Sequence, residues 1–227
     1  MKIDILTLFP DMFSGPFDES IIRRARDKGL VEINIHDLRR WGERERRTVD
    51  DRPYGGGVGM ILRVDIIEKA ISELKKGTKS TKVILLDTTG KKFTQGMARQ
   101  LSQAEHLILI AGHYEGFDHR VHEHLVDEVL SIGDYVLTGG ELPAMVLTDT
   151  IVRLIPSVLE KPSATELESF SEENILEFPQ YTRPEEYKGW KVPEELLSGN
   201  HKLIEKWRNK RALHKTKKQR ADLLNEK

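Results

Sequence analysis

The sequence of 227 residues contains no cysteine. This absence excludes disulfide bonds, thiolate nucleophiles, and metal or iron–sulfur sites that cysteine ligates. The sequence also lacks any run of about 18 apolar residues, the length from which a membrane-spanning helix becomes a candidate. An acidic residue, Asp4, stands where a signal peptide would have its apolar stretch. We therefore expect a cytoplasmic protein.

The signatures of several enzyme classes are also missing. The sequence has no Gly-x-Ser-x-Gly motif of a serine hydrolase and no His-Glu-x-x-His motif of a zinc peptidase. The glycine-rich segment 55–59 matches neither a P-loop nor a dinucleotide-binding fingerprint. His119, His122 and His124 are close in sequence, but their spacing does not put all three on one helical face. A solvated helix is therefore favoured over a zinc site there, and we predict no metal ligands.

The charges are distributed unevenly along a chain whose formal net charge is only −1. Residues 201–227 contain ten Lys and Arg against three Asp and Glu, which gives 10 − 3 = +7. Residues 1–200 therefore carry −1 − 7 = −8. An acidic body with a basic tail favours a polyanionic partner such as RNA or DNA at the tail. The alternative is that the tail is an ordinary solvated helix.

Hydrophobic periodicity predicts strands that alternate with helices over residues 1–160. The predicted strands are 2–9, 31–35, 83–86, 106–111, 126–132 and 135–137, and the predicted helices are 20–28, 64–74, 94–102, 118–125 and 144–154. Such alternation indicates an α/β fold with a mainly parallel sheet covered by helices on both faces.

The composition changes after residue 160. Residues 161–178 are acidic and contain serine and proline with little periodicity, which predicts a flexible linker. Residues 179–227 are predicted to form a small helical domain with a helix near 193–198 and a final helix over 201–214. The final helix should turn Leu203, Ile204, Trp207 and Leu213 inward and its basic residues outward.

Two predicted strands end in glycine-rich turns that also carry tyrosines and carboxylates. One turn begins at Gly112, and the other contains Gly139 and Gly140 and leads into a helix. Glycines let the backbone approach a ligand where a Cβ would clash, and ligands of open α/β sheets bind at the carboxyl ends of strands. The residues alone thus support an α/β ligand-binding domain with a basic tail. A small-molecule-binding module stays open as an alternative.

Six sequence motifs follow one another in an order that resembles a known family. They are 50–57 (DDRPYGGG), 114–116 (YEG), 131–145 (SIGDYVLTGGELPAM), 153–156 (RLIP), 181–184 (YTRP) and 197–201 (LSGNH). Their order and spacing resemble bacterial tRNA (guanine-N1)-methyltransferases over nearly the whole chain. The resemblance implies a SPOUT-class fold with a deep trefoil knot, an obligate homodimer and S-adenosylmethionine as cofactor. It further implies methyl transfer to N1 of guanosine 37 in tRNA, and a use of Mg²⁺ for which the sequence shows no ligand set.

The resemblance also assigns site residues in this chain. Cofactor-binding residues are Leu86, Asp87, Thr88, Gly90, Gly112, Tyr114, Glu115, Ile132, Tyr135, Leu137, Gly139, Gly140 and Pro143. Substrate-binding residues are Asp50, Arg52, Tyr54, Gly57, Gly59, Arg183, Ser198, Asn200, His201, Lys215 and Lys218. Glu168 takes the position of the general base that accepts the N1 proton, and Arg153 that of the arginine that stabilises charge on the guanine.

Three positions depart from the family pattern. Glu168 precedes Ser169 and Phe170 where the family has aspartate, with one extra residue in the segment, and Glu166 is its rival as base. His113 stands where the family has arginine, and residues 87–89 (DTT) replace Ser-Pro-Gln. These departures motivate a second hypothesis, a catalytically weakened homologue that binds tRNA or another RNA site.

Overall fold

The computed structural model describes residues 1–77, 80–171 and 175–224, and we treat its two compact units, Met1–Glu160 and Lys161–Lys227, separately. Within the described parts of the chain, none of the helices combines the length and apolarity that a membrane span requires.

The first unit is built on a five-stranded parallel sheet with the strand order β2-β1-β6-β5-β7. The strands are β1 Lys2–Thr7, β2 Glu32–Asp37, β5 Thr81–Lys92, β6 His106–Ala111 and β7 Glu128–Ser131. A separate antiparallel pair consists of β3 Asp50–Asp51 and β4 Ile61–Leu62. The helices are α1 Ser20–Asp27, α2 Val64–Leu74, α3 Gln95–Leu101, α4 His119–His124 and α5 Glu141–Val152, with short 3-10 helices at Pro10–Phe13 and Leu38–Trp41. The predicted α/β class and parallel sheet are confirmed.

Hydrophobic cores cover both faces of this sheet. One core joins Ile3, Ile5 and Leu109 of the strands to the apolar faces of α1, α3 and α5. The other joins Ile108 and Ile110 to α2 and α4. Every residue of the central strand β6 is buried, which explains its continuous apolar sequence.

A buried polar cluster joins the neighbouring strands β2, β1 and β6. The Asp4 carboxylate is fully buried and accepts hydrogen bonds from His106 Nε2 at 2.7 Å and His36 Nε2 at 2.9 Å. Lys2 Nζ at 2.8 Å and Asn34 Nδ2 at 3.1 Å complete its partners. Burial by itself raises the pKa of Asp4, but the hydrogen bonds from His36, Lys2, Asn34 and His106 outweigh it and hold the pKa well below its usual value. The Asp4 carboxylate is therefore ionised although it is buried, because these donors stabilise its charge.

One predicted strand of this unit is wrong. Residues 135–137 have no strand structure, and Tyr135, Val136 and Leu137 are 54%, 86% and 37% exposed. Their apolar sequence suggested a buried strand, but this segment carries the chain back from β7 to β6. By contrast, β5 is three times as long as predicted and continues past Leu86 to Lys92.

The second unit contains a 3-10 helix at Pro162–Thr165, a hairpin of β8 Glu186–Tyr187 and β9 Trp190–Lys191, helices α6 Glu194–Leu197 and α7 His201–Gln219, and a final 3-10 turn Ala221–Leu224. The predicted linker 161–178 belongs to this unit, and Glu172, Glu173 and Asn174 within it lie outside the described residues. The Phe170 N–H donates to the Ile175 carbonyl at 2.9 Å.

The inward face of α7 differs from the predicted one. Trp207 is buried as predicted and Ile204 is half-buried, but Leu203 and Leu213 are exposed, and Ala212 and Thr216 are buried instead. The Thr216 hydroxyl donates to the Ala212 carbonyl at 2.8 Å and accepts the Leu176 N–H at 2.9 Å. A non-helical segment near Leu176 therefore covers this face, and the periodicity of α7 alone could not reveal it.

Candidate functional site

A pocket of about 250 Å³ lies at the carboxyl ends of β6 and β7 and beside residues 86–88 of β5. Of the residues that the resemblance assigns to the cofactor, all except Gly90 line it: Leu86, Asp87, Thr88, Gly112, Tyr114, Glu115, Ile132, Tyr135, Leu137, Gly139, Gly140 and Pro143. His113, Phe117 and Thr138 are among the further lining residues. The sheet thus brings three sequence-distant segments to one concave site, as expected for an open parallel sheet.

The floor of the pocket depends on a close approach of two backbone segments. The Gly140 N–H donates to the Gly112 carbonyl at 2.7 Å. A Cβ on Gly140 would lie 2.6 Å from the Gly112 nitrogen and 2.8 Å from the Ala111 Cα. These neighbours are main-chain atoms, which cannot rotate away. Glycine at position 140 is therefore required by this approach, and no side chain fits between the segments.

Gly90, which the resemblance also assigns to the cofactor, does not line this pocket but lies beside it against another strand. A Cβ there would lie 2.6 Å from backbone atoms of Val129 and Leu130. At this point β5 bends around the end of β7: Leu86 pairs with Leu130 and, after a register shift, Lys91 pairs with Leu130 again. Gly90 thus permits the close approach of two backbone segments beside the pocket.

A buried carboxylate stands behind the pocket wall. Glu141 at the start of α5 is 1% exposed, and Thr7 Oγ1 at the end of β1 donates to its Oε1 at 2.8 Å. Glu141 Oε2 and His113 Nδ1 lie 3.9 Å apart, and among the described residues neither has a hydrogen-bond partner. A Cβ on Gly139 would lie 2.3 Å from that Oε2. Polar atoms that are buried and unsatisfied beside a glycine-lined cavity are suited to a polar ligand.

Asp87 supplies an ionised carboxylate at the rim. Burial raises its pKa, but the Thr89 N–H and hydroxyl, at 2.8 and 2.7 Å, and the neighbouring His122 ring lower it below the usual value. His122 Nε2 lies 3.5 Å from Asp87 Oδ2. An ionised carboxylate in this position can accept hydrogen bonds from the hydroxyl or amino groups of a ligand.

The glycine-rich loop of the first unit contacts the pocket through Glu115. The Glu115 N–H donates to the Met60 carbonyl at 3.1 Å, and a Cβ on Gly59 would lie 2.5 Å from Glu115 Cγ. Tyr54 in the same loop is fully exposed. Asp50, which belongs to β3, Arg52, which is exposed, and Gly57 belong to the same loop region. The loop thus presents an exposed aromatic ring a few residues before Gly59 and Met60, which contact the pocket residue Glu115.

The two predicted catalytic residues belong to different units. Arg153 follows α5 in the first unit. Glu168 lies in the second unit, where it is half-buried and its carbonyl accepts the Ser171 N–H at 3.1 Å. Its rival Glu166 is exposed.

The predicted substrate residues of the second unit include some with structural contacts. The Asn200 side chain caps α7 by accepting the Leu203 N–H, and the Ser198 hydroxyl donates to the Glu195 carbonyl. Lys215 Nζ donates to the Glu177 carbonyl at 3.1 Å. Arg183, His201 and Lys218 are exposed.

Two features of the site were not predicted. Thr7 and His122 carry no motif, and their only signal is that one ends a strand and the other belongs to the histidine cluster. Within the described ranges, no three His, Cys, Asp or Glu side chains are grouped closely enough to hold a metal ion.

Comparisons with known proteins give a consistent result. A family model described as tRNA (Guanine-1)-methyltransferase TrmD matches residues 1–226. The chain is 54% identical over 224 residues to a tRNA (guanine-N(1)-)-methyltransferase of Dictyoglomus turgidum, which covers 99% of this chain and 90% of the relative. It is 50% identical over 226 residues to the protein of the same name from Geobacillus kaustophilus, covering 100% and 92%. The Bacillus subtilis relative of that name is 50% identical over 225 residues, covering 99% and 92%.

Proposed function

The chain belongs to the tRNA (guanine-1)-methyltransferase family, and we propose that it methylates N1 of guanosine 37 in tRNA with S-adenosylmethionine as methyl donor. The observation that carries the proposal is the family match over the whole chain. The pocket at the carboxyl edge of the sheet supports it, because the family motifs 114–116 and 131–145 meet there with residues 86–88.

The pocket residues fit this methyl donor. Leu86, Leu137 and Pro143 offer apolar walls, while the main chain at Gly112 and Gly139 offers donors and acceptors suited to the edge of an adenine. The ionised Asp87 is suited to hydroxyl or amino donors. When bound, S-adenosylmethionine supplies an electrophilic methyl group on a positively charged sulfur. The chain's own residues would hold and orient it and limit its exposure to water.

The proton on guanine N1 must be removed as the methyl group arrives, and we assign this task to Glu168. A carboxylate is the functional group the family uses, and the glutamate presents it on an arm longer by one methylene. Arg153 would stabilise negative charge that develops on the base. The half-burial of Glu168 and the exposure of Glu166 favour the first of these two residues.

The polypeptide path supports a trefoil knot in the first unit. After β7 at the sheet edge, the chain returns across β5 to β6, where Gly140 bonds Gly112. The 87–92 extension of β5 wraps around the end of β7 over the same stretch. A trefoil knot requires the 131–140 segment to pass through a loop formed by the preceding chain, and the close backbone approaches at Gly90 and Gly140 support that passage. Electron density in which residues 131–140 pass outside that extension would refute the knot.

We further propose a homodimer that acts in the cytoplasm, where its tRNA substrate is found. Helix α5 is apolar on both sides: Ala144, Leu147 and Ile151 face the core, whereas Leu142 and Val146, one turn apart, are 50% and 44% exposed. Exposed apolar side chains grouped on the outer side of a helix mark a candidate interaction surface. A second copy of this chain is the proposed cover, and the basic helix α7 is proposed to bind tRNA phosphates.

Single-turnover methylation of tRNA transcripts, with mapping of the modified nucleotide, tests the proposed function. Glu168→Gln should lower the rate by at least about 100-fold, because a positioned general base contributes about that much or more. S-adenosylmethionine binding, measured by calorimetry, should persist. Glu166→Gln is the matched control and should be nearly silent.

Two outcomes would overturn parts of this proposal. If Glu166→Gln loses turnover while Glu168→Gln keeps it, the general base is Glu166. If the unmodified protein binds tRNA without methylating any transcript, the chain is a weakened homologue.

A further inference from the structure

The hairpin of the second unit presents an aromatic pair to solvent. Lys188 and Gly189 form its two-residue turn with φ of +53° and +81°, and the Val192 N–H donates to the Glu185 carbonyl at 2.9 Å. Two residues of positive φ are typical of the tight turn that matches strand twist. Tyr187 pairs directly with Trp190 across the strands, so the two side chains project from the same face.

The exposure of these two rings is unusual. Trp190 is 72% exposed and Tyr187 is 54% exposed, whereas Trp207 in the same unit is 6% exposed. The ring centroids of Tyr187 and Trp190 lie 5.9 Å apart. Tryptophan is highly buried on average, because its ring has a large apolar area. The Trp190 ring contributes little to the core of this unit, and its exposed faces are free to contact a partner.

The segments that precede and follow the hairpin in the sequence both pack against the basic helix α7. Before the hairpin, Tyr181 packs edge-on against Trp207 of α7 at 6.2 Å. After it, α6 packs against α7. Residues 201–219 contain eight Lys and Arg against one Glu, which gives 8 − 1 = +7. Lys188 Nζ also lies 5.3 Å from the centre of the Tyr187 ring. The aromatic pair therefore belongs to the same small unit as a strongly positive helix.

We propose that Tyr187 and Trp190 form a stacking platform for an unpaired nucleobase of the RNA substrate, while α7 binds the sugar–phosphate backbone. This inference rests on the proposed function for the identity of the substrate as RNA. Every base offers a flat π face, and aromatic rings next to cationic side chains are the usual means of binding single-stranded nucleic acid. A protein partner would need a wider apolar surface than two rings between charged residues.

Binding of a tRNA transcript, followed by tryptophan fluorescence and by affinity, tests the platform. Trp190→Leu keeps apolar bulk but removes the ring, and should weaken binding by about 5- to 150-fold, the range expected for losing one base–aromatic stack. Trp190→Phe should retain most of the affinity. The tRNA-induced quenching seen in the unmodified protein should shrink in both variants, because the stacked fluorophore is gone.

A double variant of α7, Lys217→Gln with Lys218→Gln, is the matched control. It should flatten the dependence of affinity on salt, because phosphate contacts release counterions, and keep the quenching. Trp190→Leu should leave the salt dependence unchanged. S-adenosylmethionine binding should be intact in all variants, since the substituted side chains are exposed or line no part of the pocket.

Three results would overturn the platform. They are unchanged tRNA affinity in Trp190→Leu, equal quenching by a blunt RNA duplex without unpaired bases, and a fall in oligomeric state in Trp190→Leu. The last result would put the hairpin against a second copy of the chain. Quenching that depends on unpaired bases supports the platform even if no transcript is methylated, so the two proposals fail separately.

Discussion

Substituting alanine for Gly140 is the most direct test of the way the pocket floor is built. The added Cβ would lie 2.6 Å from the Gly112 nitrogen and 3.0 Å from the Ala111 carbonyl carbon. Ordinary contacts of a Cβ begin at 3.4 Å, so the segments must separate by 3.4 − 2.6 = 0.8 Å. Gly140 has φ −84° and ψ 0°, which alanine can adopt, so the cost is steric.

Two effects should follow from this separation. Overpacking of this kind destabilises proteins by about 1 to 3 kcal/mol. For a unit of this size, that corresponds to a fall in melting temperature of about 2 to 12 °C. The separation also stretches the 2.7 Å hydrogen bond between Gly140 and Gly112, whose residues line the pocket. We therefore expect S-adenosylmethionine binding to be lost or strongly weakened even at temperatures where Gly140→Ala is folded.

Calorimetry measures both effects, as thermal unfolding and as titration with S-adenosylmethionine. Gly96→Ala is the matched control, because Gly96 is exposed in α3 and its added Cβ would meet only Thr94 Oγ1 at 3.8 Å. Alanine there should leave stability unchanged or raise it by up to about 1 kcal/mol through helix propensity. A Gly140→Ala protein that melts and binds like the unmodified one would refute the reasoning.

Two further predictions concern stability and assembly. The pKa of Asp4 is lowered by folding, so its contribution is present above the ordinary aspartate pKa of about 4 and is lost as the pH falls below it. Asp4→Asn should lower the free energy of unfolding at pH 7 by about 3 kcal/mol. In denaturant titrations, the free energy of unfolding of this variant should also fall less steeply as the pH drops below about 4. An unchanged dependence on pH would contradict this prediction. In sedimentation velocity the protein should have about twice the chain mass of 26.1 kDa, and Val146→Glu should shift it toward one chain. A monomer at tens of micromolar would exclude the dimer.

The parts of the fold that sequence reasoning predicted are those with strong local signals. Helix α2 and strand β6 have the predicted bounds, because one has a clear helical stripe and the other is apolar throughout. The final helix extends to Gln219, beyond the predicted end at His214, because its last turn is basic and carries no apolar periodicity. The predicted strand at 135–137 was wrong for the opposite reason. Its side chains are apolar, but they are exposed in the segment that carries the chain back from β7 to β6.

The candidate site shows the same division between local and long-range signals. Motifs identified two of the three segments that line the pocket, because residues 112–117 and 130–143 each carry glycines and a tyrosine, whereas residues 86–88 carry neither. The partner of Glu141 could not be predicted, because Thr7 is 134 positions away and carries no motif. The close approach of Gly90 to the backbone of Val129 and Leu130 could not be predicted either, because it joins segments that are distant in the sequence.

The floor of the pocket consists of main-chain atoms, and this affects both how an inhibitor could bind there and how substitutions could make the protein resistant to it. The amide and carbonyl groups at Gly112, Gly139 and Gly140 are present whatever side chains surround them. A compound that took its hydrogen bonds from the main chain of Gly112 and Gly139, leaving the bond between the Gly140 N–H and the Gly112 carbonyl in place, would offer few single-codon routes to resistance, because added side chains at positions 139 and 140 collide with neighbouring atoms. Resistance would then have to arise by substitution of the apolar wall residues Leu137 and Pro143, which take no part in the close approach of Gly140 to Gly112.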